Sequence, residues 1–318
     1  MKIVVTGAAG LIGSHLCDIL INEGHYVIGI DNLSYGTKDN LKNIIDNKNF
    51  DFNIKDIETL DITSLNNVDV MVHLAAYKKA PKDVEISSYE VMIRNFHMME
   101  KIIENCIFNK TKLIFSSTSD VYGNSKTFDE NESITIGPPT IERYSYALSK
   151  LFDEQIIMNV VNSKKLHALI FRIFGCFSER SNKGWSGGHI PKFIDNAIKN
   201  KDIEIHGDGL QTRSMCDAID IANGIYQGIK NIDNLNGEII NIGTDQEISV
   251  KTAAEYIINK TKSNSKIIYL NKRDVFGDYR EIERRYANTT KAKKLIGFEI
   301  TKTTEEIIDR ITKTYDTK

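Results

Sequence analysis

The 318-residue chain lacks the features that mark several large protein classes. No apolar run approaches the roughly 18 residues of a membrane span, which argues against an integral membrane protein. Charge of one sign is not in excess. Lys and Arg total 41 against 43 Asp and Glu, and the formal charge of -2 gives no bulk attraction to nucleic acid or to an anionic membrane. Any bound phosphate must therefore be held by a local site. Cysteine is scarce: Cys17, Cys106, Cys176 and Cys216 are far apart in sequence and form no C-x-x-C pair, which fits free thiols in a reducing cytoplasm. The chain opens directly on MKIVVTG, with no charged-then-apolar leader, and the expected location is again cytoplasmic. Low-complexity tracts and internal repeats are missing. With 41% hydrophobic residues, a chain of this length can bury a large core, in one big domain or two modest ones.

In the first half, short apolar runs alternate with longer amphipathic ones. Ile3 to Val5, Val27 to Ile30, Val70 to Leu74, Leu113 to Phe115 and Ala168 to Phe171 read as buried strands. Between them, Ile12 to Asn22, Tyr89 to Cys106 and Ser145 to Val161 carry apolar residues at helical spacing. Strand and helix in alternation imply a parallel sheet with crossover helices on both faces, an α/β fold of the doubly wound, Rossmann type. After about Phe174 the rhythm changes: a Gly/Ser-rich loop over 178–188, a helix near 191–199 and a polar turn over 206–213. The expected division is therefore a dinucleotide-binding domain at 1–174 and a smaller, mainly substrate-binding lobe at 175–318. The later apolar run Glu238 to Ile242 is expected to rejoin the main sheet.

Directly after the first strand stands Thr6-Gly-Ala-Ala-Gly-Leu-Ile-Gly13, which opens the first helix. Gly7 permits the tight turn, Gly10 lets backbone N–H groups approach a pyrophosphate, and Gly13 allows close packing of helix on strand. The second strand ends at Asp31-Asn32, about 20 residues on. A carboxylate there accepts hydrogen bonds from an adenosine ribose and repels the extra phosphate of NADP, so the pattern favours NAD.

Tyr146-Ala-Leu-Ser-Lys150 lies in a stretch read as helix, and the i, i+4 spacing puts phenol and ammonium on one face. A tyrosine of pKa about 10 is a poor base, but a nearby cation and the positive charge of a nicotinamide favour its phenolate. It can then take a proton from a substrate hydroxyl as hydride leaves the carbon. The strand ending Phe115-Ser-Ser-Thr-Ser-Asp-Val-Tyr-Gly123 precedes this pair. Tyr144 is set aside because position 148 is leucine.

In these residues and spacings the chain resembles the extended short-chain dehydrogenase/reductase family, in particular its nucleotide-sugar epimerases and decarboxylases, through almost its whole length. The resemblance implies NAD as cofactor, with Gly7, Gly10, Leu11, Ile12 and Gly13 at the pyrophosphate and Asp31 and Asn32 at the ribose. It implies Asp56 and Ile57 beside the adenine, with a surface turn as the alternative reading of Asp56. His73-Leu74-Ala75-Ala76 would line the cofactor with backbone, joined by Lys78, Asn95 and Ser116; His73 itself is read as structural. Tyr146, Lys150 and Thr118 become the catalytic set, with Asp120 beside the sugar.

At the substrate end the resemblance makes Arg213, in Gly207-Asp-Gly-Leu-Gln-Thr-Arg213, a ligand of the diphosphate, with His206 nearby. Arg285 is a second candidate, unless it and Arg284 are simply a solvated basic pair. Arg180 either meets a C6 carboxylate or, as the favoured reading, is a surface loop residue. No metal is implied.

Three reactions share C4 oxidation as their first step. The 4,6-dehydratases resembled here carry Thr-Asp-Glu where this chain has Thr118-Ser119-Asp120, which disfavours dehydration. UDP-glucuronate decarboxylases read Thr-Ser-Glu with a distal arginine, so Asp120 and Arg285 keep decarboxylation as the alternative. The segment Trp185 to Pro191 and the run Ile141-Glu-Arg-Tyr-Ser-Tyr146 look most like sugar-nucleotide 4-epimerases. The leading expectation is an NAD-dependent UDP-sugar 4-epimerase; a binding protein that has lost catalysis is a further reading. Homodimerisation through the helices around 89–106 and 145–161 is implied by resemblance alone.

Overall fold

The computed structural model describes residues 1–61, 65–78, 86–142, 144–183, 188–271 and 282–316. Six strands, β1 (Lys2–Thr6), β2 (Tyr26–Asp31), β3 (Phe50–Ile54), β4 (Val70–His73), β5 (Lys112–Thr118) and β6 (Ala168–Ile173), form one sheet with Glu238–Ile242. Their order is Glu238–Ile242, β6, β5, β4, β1, β2, β3, and every pairing is parallel. The late strand does rejoin the sheet, registering Glu238 with Leu169 and Ile242 with Ile173.

The strands are apolar on both sides because both faces are covered. Ile3 and Val5 of β1 and Val70 and Val72 of β4 join one apolar layer with Leu16, Leu20, Ile221 and Ile225. Their alternates Val4 and Met71 join the other, with Met98, Ile102 and Ile157. The first layer is closed by α1 (Leu11–Asn22) and α5 (Ala218–Lys230), the second by α2 (Ser88–Asn109) and α3 (Tyr144–Asn162). Each fully buried Ile, Leu or Val contributes about 1.5–3 kcal/mol, so two such layers hold the sheet strongly. A capping box starts α2, in which the Ser87 hydroxyl accepts from Glu90 N–H and the Glu90 carboxylate accepts from Ser87 N–H.

β3 is absent from the sequence-based expectation. Phe50-Asp-Phe-Asn-Ile54 lies at the sheet's edge, only half covered, so it alternates apolar and polar residues and lacks the solid apolar run of the inner strands. The chain after β6 builds a separate apolar cluster from α4 (His189–Ile198), α6 (Val250–Thr261) and the helix Thr304–Asp316, with Phe193, Ile205, Ile257 and Ile308 at its centre. Cys176 and Cys216, remote in sequence, are register partners on two paired strands, and all four thiols are free. Among the described residues no helix is long and apolar enough to cross a membrane, and no group of His, Cys, Asp and Glu is arranged to hold a metal ion.

Candidate active site

A cleft of about 990 Å³ opens along the C-terminal ends of the parallel strands, bounded on its far side by residues after β6. This is where an open α/β sheet binds ligands, because strand ends and helix N-termini converge there.

The glycine loop fits a dinucleotide for steric reasons. Gly7 has φ +70°, and a Cβ there would lie 2.9 Å from the backbone nitrogen of Ala75. A Cβ on Gly13 would lie 2.1 Å from the Gly7 carbonyl oxygen, so α1 can start so close to β1 only without one. Gly10, Leu11 and Ile12 line the cleft at this helix N-terminus, where free N–H groups and the helix dipole favour an anion.

Asp31 closes β2 with its carboxylate held by two backbone donors, Ala9 N–H at 3.0 Å and Leu33 N–H at 2.7 Å. Burial raises its pKa, and those two hydrogen bonds counter the rise. Asn32 turns away from it and donates to the Asp56 carboxylate at 3.0 Å and to the Tyr77 hydroxyl at 3.1 Å. Asp56 is thus the hub of a cluster and not a bare surface turn. Burial opposes its charge, yet donation from Asn32, Glu58 N–H and Tyr77, together with the Arg94 guanidinium, leaves its pKa lowered. Tyr77 and Arg94 were not foreseen; the guanidinium stacks 4.0 Å from the Tyr77 ring centre, a contact invisible before folding.

Other sequence candidates divide by placement. Leu74, Ala76, Ser116 and Lys78 line the cleft. Ala75 packs beneath it, its N–H reaching the Thr6 hydroxyl at 3.3 Å, while Ile57 is buried in the apolar layer and turns its side chain from the opening. Asn95 is 2% exposed, clasps the Tyr77 backbone at 2.8 and 3.0 Å, and donates to Ser149 at 3.1 Å; it orients the wall without facing the cleft. His73 is structural, its Nδ1 bonded to the Thr6 hydroxyl at 2.7 Å, and burial followed by the nearby Lys150 charge lowers its pKa to about 3.

Thr118, Tyr146 and Asp120 all line the cleft. Thr118 ends β5, and its hydroxyl caps a short turn by accepting from Asp120 N–H at 3.2 Å. Lys150 is buried one turn beyond Tyr146, and its ammonium donates to the Ser116 carbonyl at 3.0 Å. The expected Tyr146 phenolate draws on a nearby cation and on the nicotinamide's positive charge, and the protein's own residues work against it. Burial raises its pKa, and the Asp120 and then Asp153 carboxylates raise it further, so these residues alone keep the phenol protonated. Lys78 lies beside this centre: its ammonium is 4.9 Å from the Tyr146 ring centre and 3.4 Å from Asp120.

Arg285 reaches in from a two-residue strand and forms an ion pair with Asp120. Its side chain is only 11% exposed, and its Nε and Nη2 have no hydrogen-bond partner among the described residues. Arg284 points the opposite way and pairs with Glu247 at 2.6 Å, so the basic pair divides into one surface arginine and one cleft arginine. Arg285 and Arg213 are register partners on adjacent parallel strands, which places two guanidiniums along one wall. His206 lines the same region, its carbonyl accepting from Gln211 at 3.1 Å. Arg180 corrects the surface-loop reading: it is 13% exposed, borders the cleft and pairs with Asp18 of α1 at 2.5 Å. Arg143 and Trp185 to Gly187, part of the epimerase-like segments, lie outside the described residues.

The family model described as NAD dependent epimerase/dehydratase matches residues 3–243. A UDP-N-acetyl-alpha-D-glucosaminuronate decarboxylase of Bacillus cytotoxicus is 33% identical over 303 residues, covering 93% of this chain and 92% of that protein. A putative UDP-glucose 4-epimerase of Methanocaldococcus jannaschii is 30% identical over 294 residues, covering 92% of each. Among solved structures, the UDP-glucuronic acid 4-epimerase of Bacillus cereus, in complex with UDP-glucuronic acid and NAD, shares a TM-score of 0.88 at 26% identity over 99% of this chain and 100% of that one. Together with a glycine loop and a β2 carboxylate that fit a dinucleotide, these likenesses establish that the chain belongs to the NAD-dependent epimerase/dehydratase family and uses NAD as its cofactor.

Proposed function

We propose that the protein oxidises a UDP-linked hexuronate at C4 and releases its C6 carboxylate as carbon dioxide. One observation carries this reading: Arg285, paired with Asp120 beside Tyr146, holds two further guanidinium nitrogens buried and without partners among the described residues. A carboxylate is the substrate group that such a fork fits best. The Bacillus cytotoxicus relative, named for decarboxylation of a UDP-linked uronate, supports it.

Bound NAD supplies the hydride acceptor. With the positive nicotinamide bound beside it, which would favour the phenolate, Tyr146 takes the proton of the C4 hydroxyl, and Thr118 hydrogen-bonds the same oxygen. Arg285 holds the C6 carboxylate, which is β to the C4 ketone once that forms. Breaking the C5–C6 bond sends its electrons toward the C4 oxygen, where Tyr146 and Thr118 receive the charge, and C5 is then protonated. Arg213 grips the diphosphate, and Asp31, Asn32 and Asp56 receive the adenosine end of the cofactor.

The second reading is 4-epimerisation of a UDP-sugar, in which the 4-keto sugar rotates and takes hydride back on its other face. The epimerase relatives favour it, and it needs no residue beyond Thr118, Tyr146 and Lys150 and no loss of carbon. The reading extends to a cytoplasmic homodimer joined through α2 and α3, where Tyr89, Phe108 and Phe152 are exposed, and to a division of labour between residues 1–174 and 175–318.

The test is NMR of the protein with NAD and, separately, UDP-glucuronate, UDP-N-acetylglucosaminuronate, UDP-glucose and UDP-N-acetylglucosamine. Carbon dioxide with a UDP-pentose or 4-keto pentose supports the proposal. Clean interconversion with a 4-epimer and no loss of carbon replaces it with the second reading, and turnover of none of the four overturns both.

A further inference from the structure

One buried carboxylate beside the catalytic pair has no part in the chemistry above. Asp153 lies on α3 three residues after Lys150 and seven after Tyr146, so all three project from one helix face. It is 2% exposed, and its Oδ1 has no hydrogen-bond partner among the described residues. A charge in that position is costly unless a counter-charge faces it.

The surroundings leave Lys150 as that counter-charge. Glu154, next in the chain, is engaged by Arg172 of β6 at 2.8 Å and by the Ser117 hydroxyl of β5. Among the described residues Lys150 itself touches neutral groups, the Ser116 carbonyl and the Phe115 ring 4.5 Å away. His73 of β4 is held neutral by burial, and the buried polar residues of α2, Asn95 and Asn105, carry no charge. Asp120, on the far side of Tyr146, is bound to Arg285 and Lys78.

We propose that Asp153 is a positioning residue that keeps the buried Lys150 protonated, and thereby sets the upper pH at which the Tyr146–Lys150 pair operates. This rests on the reading of Tyr146 and Lys150 as the catalytic pair. Burial lowers Lys150 to about 8, and Asp153, then Glu154, are what hold it up. Burial in turn raises Asp153 to about 7, against the opposing pull of Lys150. Without the Asp153 carboxylate, burial acts on Lys150 with only Glu154, already shared with Arg172, to offset it.

The test uses the NAD-loaded protein with 13C at lysine Cε, the Lys150 signal being assigned by its loss in Lys150→Arg. In Asp153→Asn the Lys150 titration is expected to fall by roughly 1 pH unit or more, the usual effect of one nearby opposite charge. The alkaline limb of kcat should move down in parallel, so that the loss against wild type grows with pH. An unmoved Lys150 titration, or a loss of turnover equal at every pH, overturns the proposal. Should Asp153→Asn fold poorly, wild-type protein labelled at aspartate carboxyls serves, since Asp153 and Lys150 should each register the other's titration; two independent single-step curves overturn it. Full activity of Tyr146→Phe would instead remove the catalytic reading, and it leaves the lysine titration as a separate measurement.

Discussion

Arg285 and Asp120, 165 residues apart in sequence, form an ion pair inside the cleft, tying a short strand near the C-terminus to the turn that follows β5. Asp120 also faces Lys78, so one carboxylate is shared by two cations within reach of Tyr146. On the proposed reading, the wall around Arg285 receives a second carboxylate, that of the substrate.

Arg285→Gln should therefore discriminate between substrates. For a UDP-hexuronate, kcat/KM is expected to fall about 30- to 1000-fold, the scale of a lost buried charge contact, and for UDP-glucose far less. Steady-state kinetics on both substrates check it. An equal loss on both would mean that Arg285 grips the diphosphate they share.

Tyr146→Phe should leave folding and NAD binding intact while turnover falls by about two to four powers of ten, the usual scale of a lost general acid–base group. Thermal melting with and without NAD separates the two effects. A variant that keeps its rate would show that the C4 proton goes elsewhere.

Asp31→Ser should shift the cofactor preference toward NADP by about 10-fold or more, since it removes a like charge worth 1–2 kcal/mol from the site of the extra phosphate. Because Asp31 also holds the Ala9 and Leu33 N–H groups, a loss of about 1–3 kcal/mol in stability should accompany it. Titrations of NADH and NADPH fluorescence measure the ratio.

His15 offers a pH-dependent stability test. Burial, then the Arg180 charge, lowers its pKa to about 4, and its ring bonds the Ser178 hydroxyl at 2.9 Å. A pKa depressed below the unfolded value of about 6.5 contributes stability that is fully present above 6.5 and lost as pH falls toward 4. Wild type should exceed His15→Gln in stability by more at pH 7.5 than at pH 5, the gap narrowing by up to about 2 kcal/mol. Chemical denaturation at both pH values would show a constant gap if the histidine were not held neutral.

Much of the fold was legible before folding was considered. The inner strands are buried on both faces and so appear as unbroken apolar runs, and the glycine loop declares itself because Gly7 and Gly13 stand where no Cβ fits. The Tyr146–Lys150 pair was equally plain, since helical spacing alone brings those side chains together. β3 escaped notice because an edge strand carries a weaker apolar signal.

What local pattern could not reach was everything that depends on contact between remote segments. Sequence placed Arg180 in a surface loop, but packing of that loop against α1 gives it Asp18 as a partner. It treated Arg284 and Arg285 alike, while strand alternation sends one to Glu247 and the other into the cleft beside Arg213. It could not show that the Asp120 carboxylate, brought in from another segment, adds to burial in raising the Tyr146 pKa. Sequence by itself determined the inner strands of the sheet, the glycine loop and the helix that carries Tyr146 and Lys150, because periodicity and sterics act over a few neighbouring residues. Only the tertiary structure decided which charges meet, because electrostatic pairing depends on distances in space that the spacing of residues along a chain does not contain.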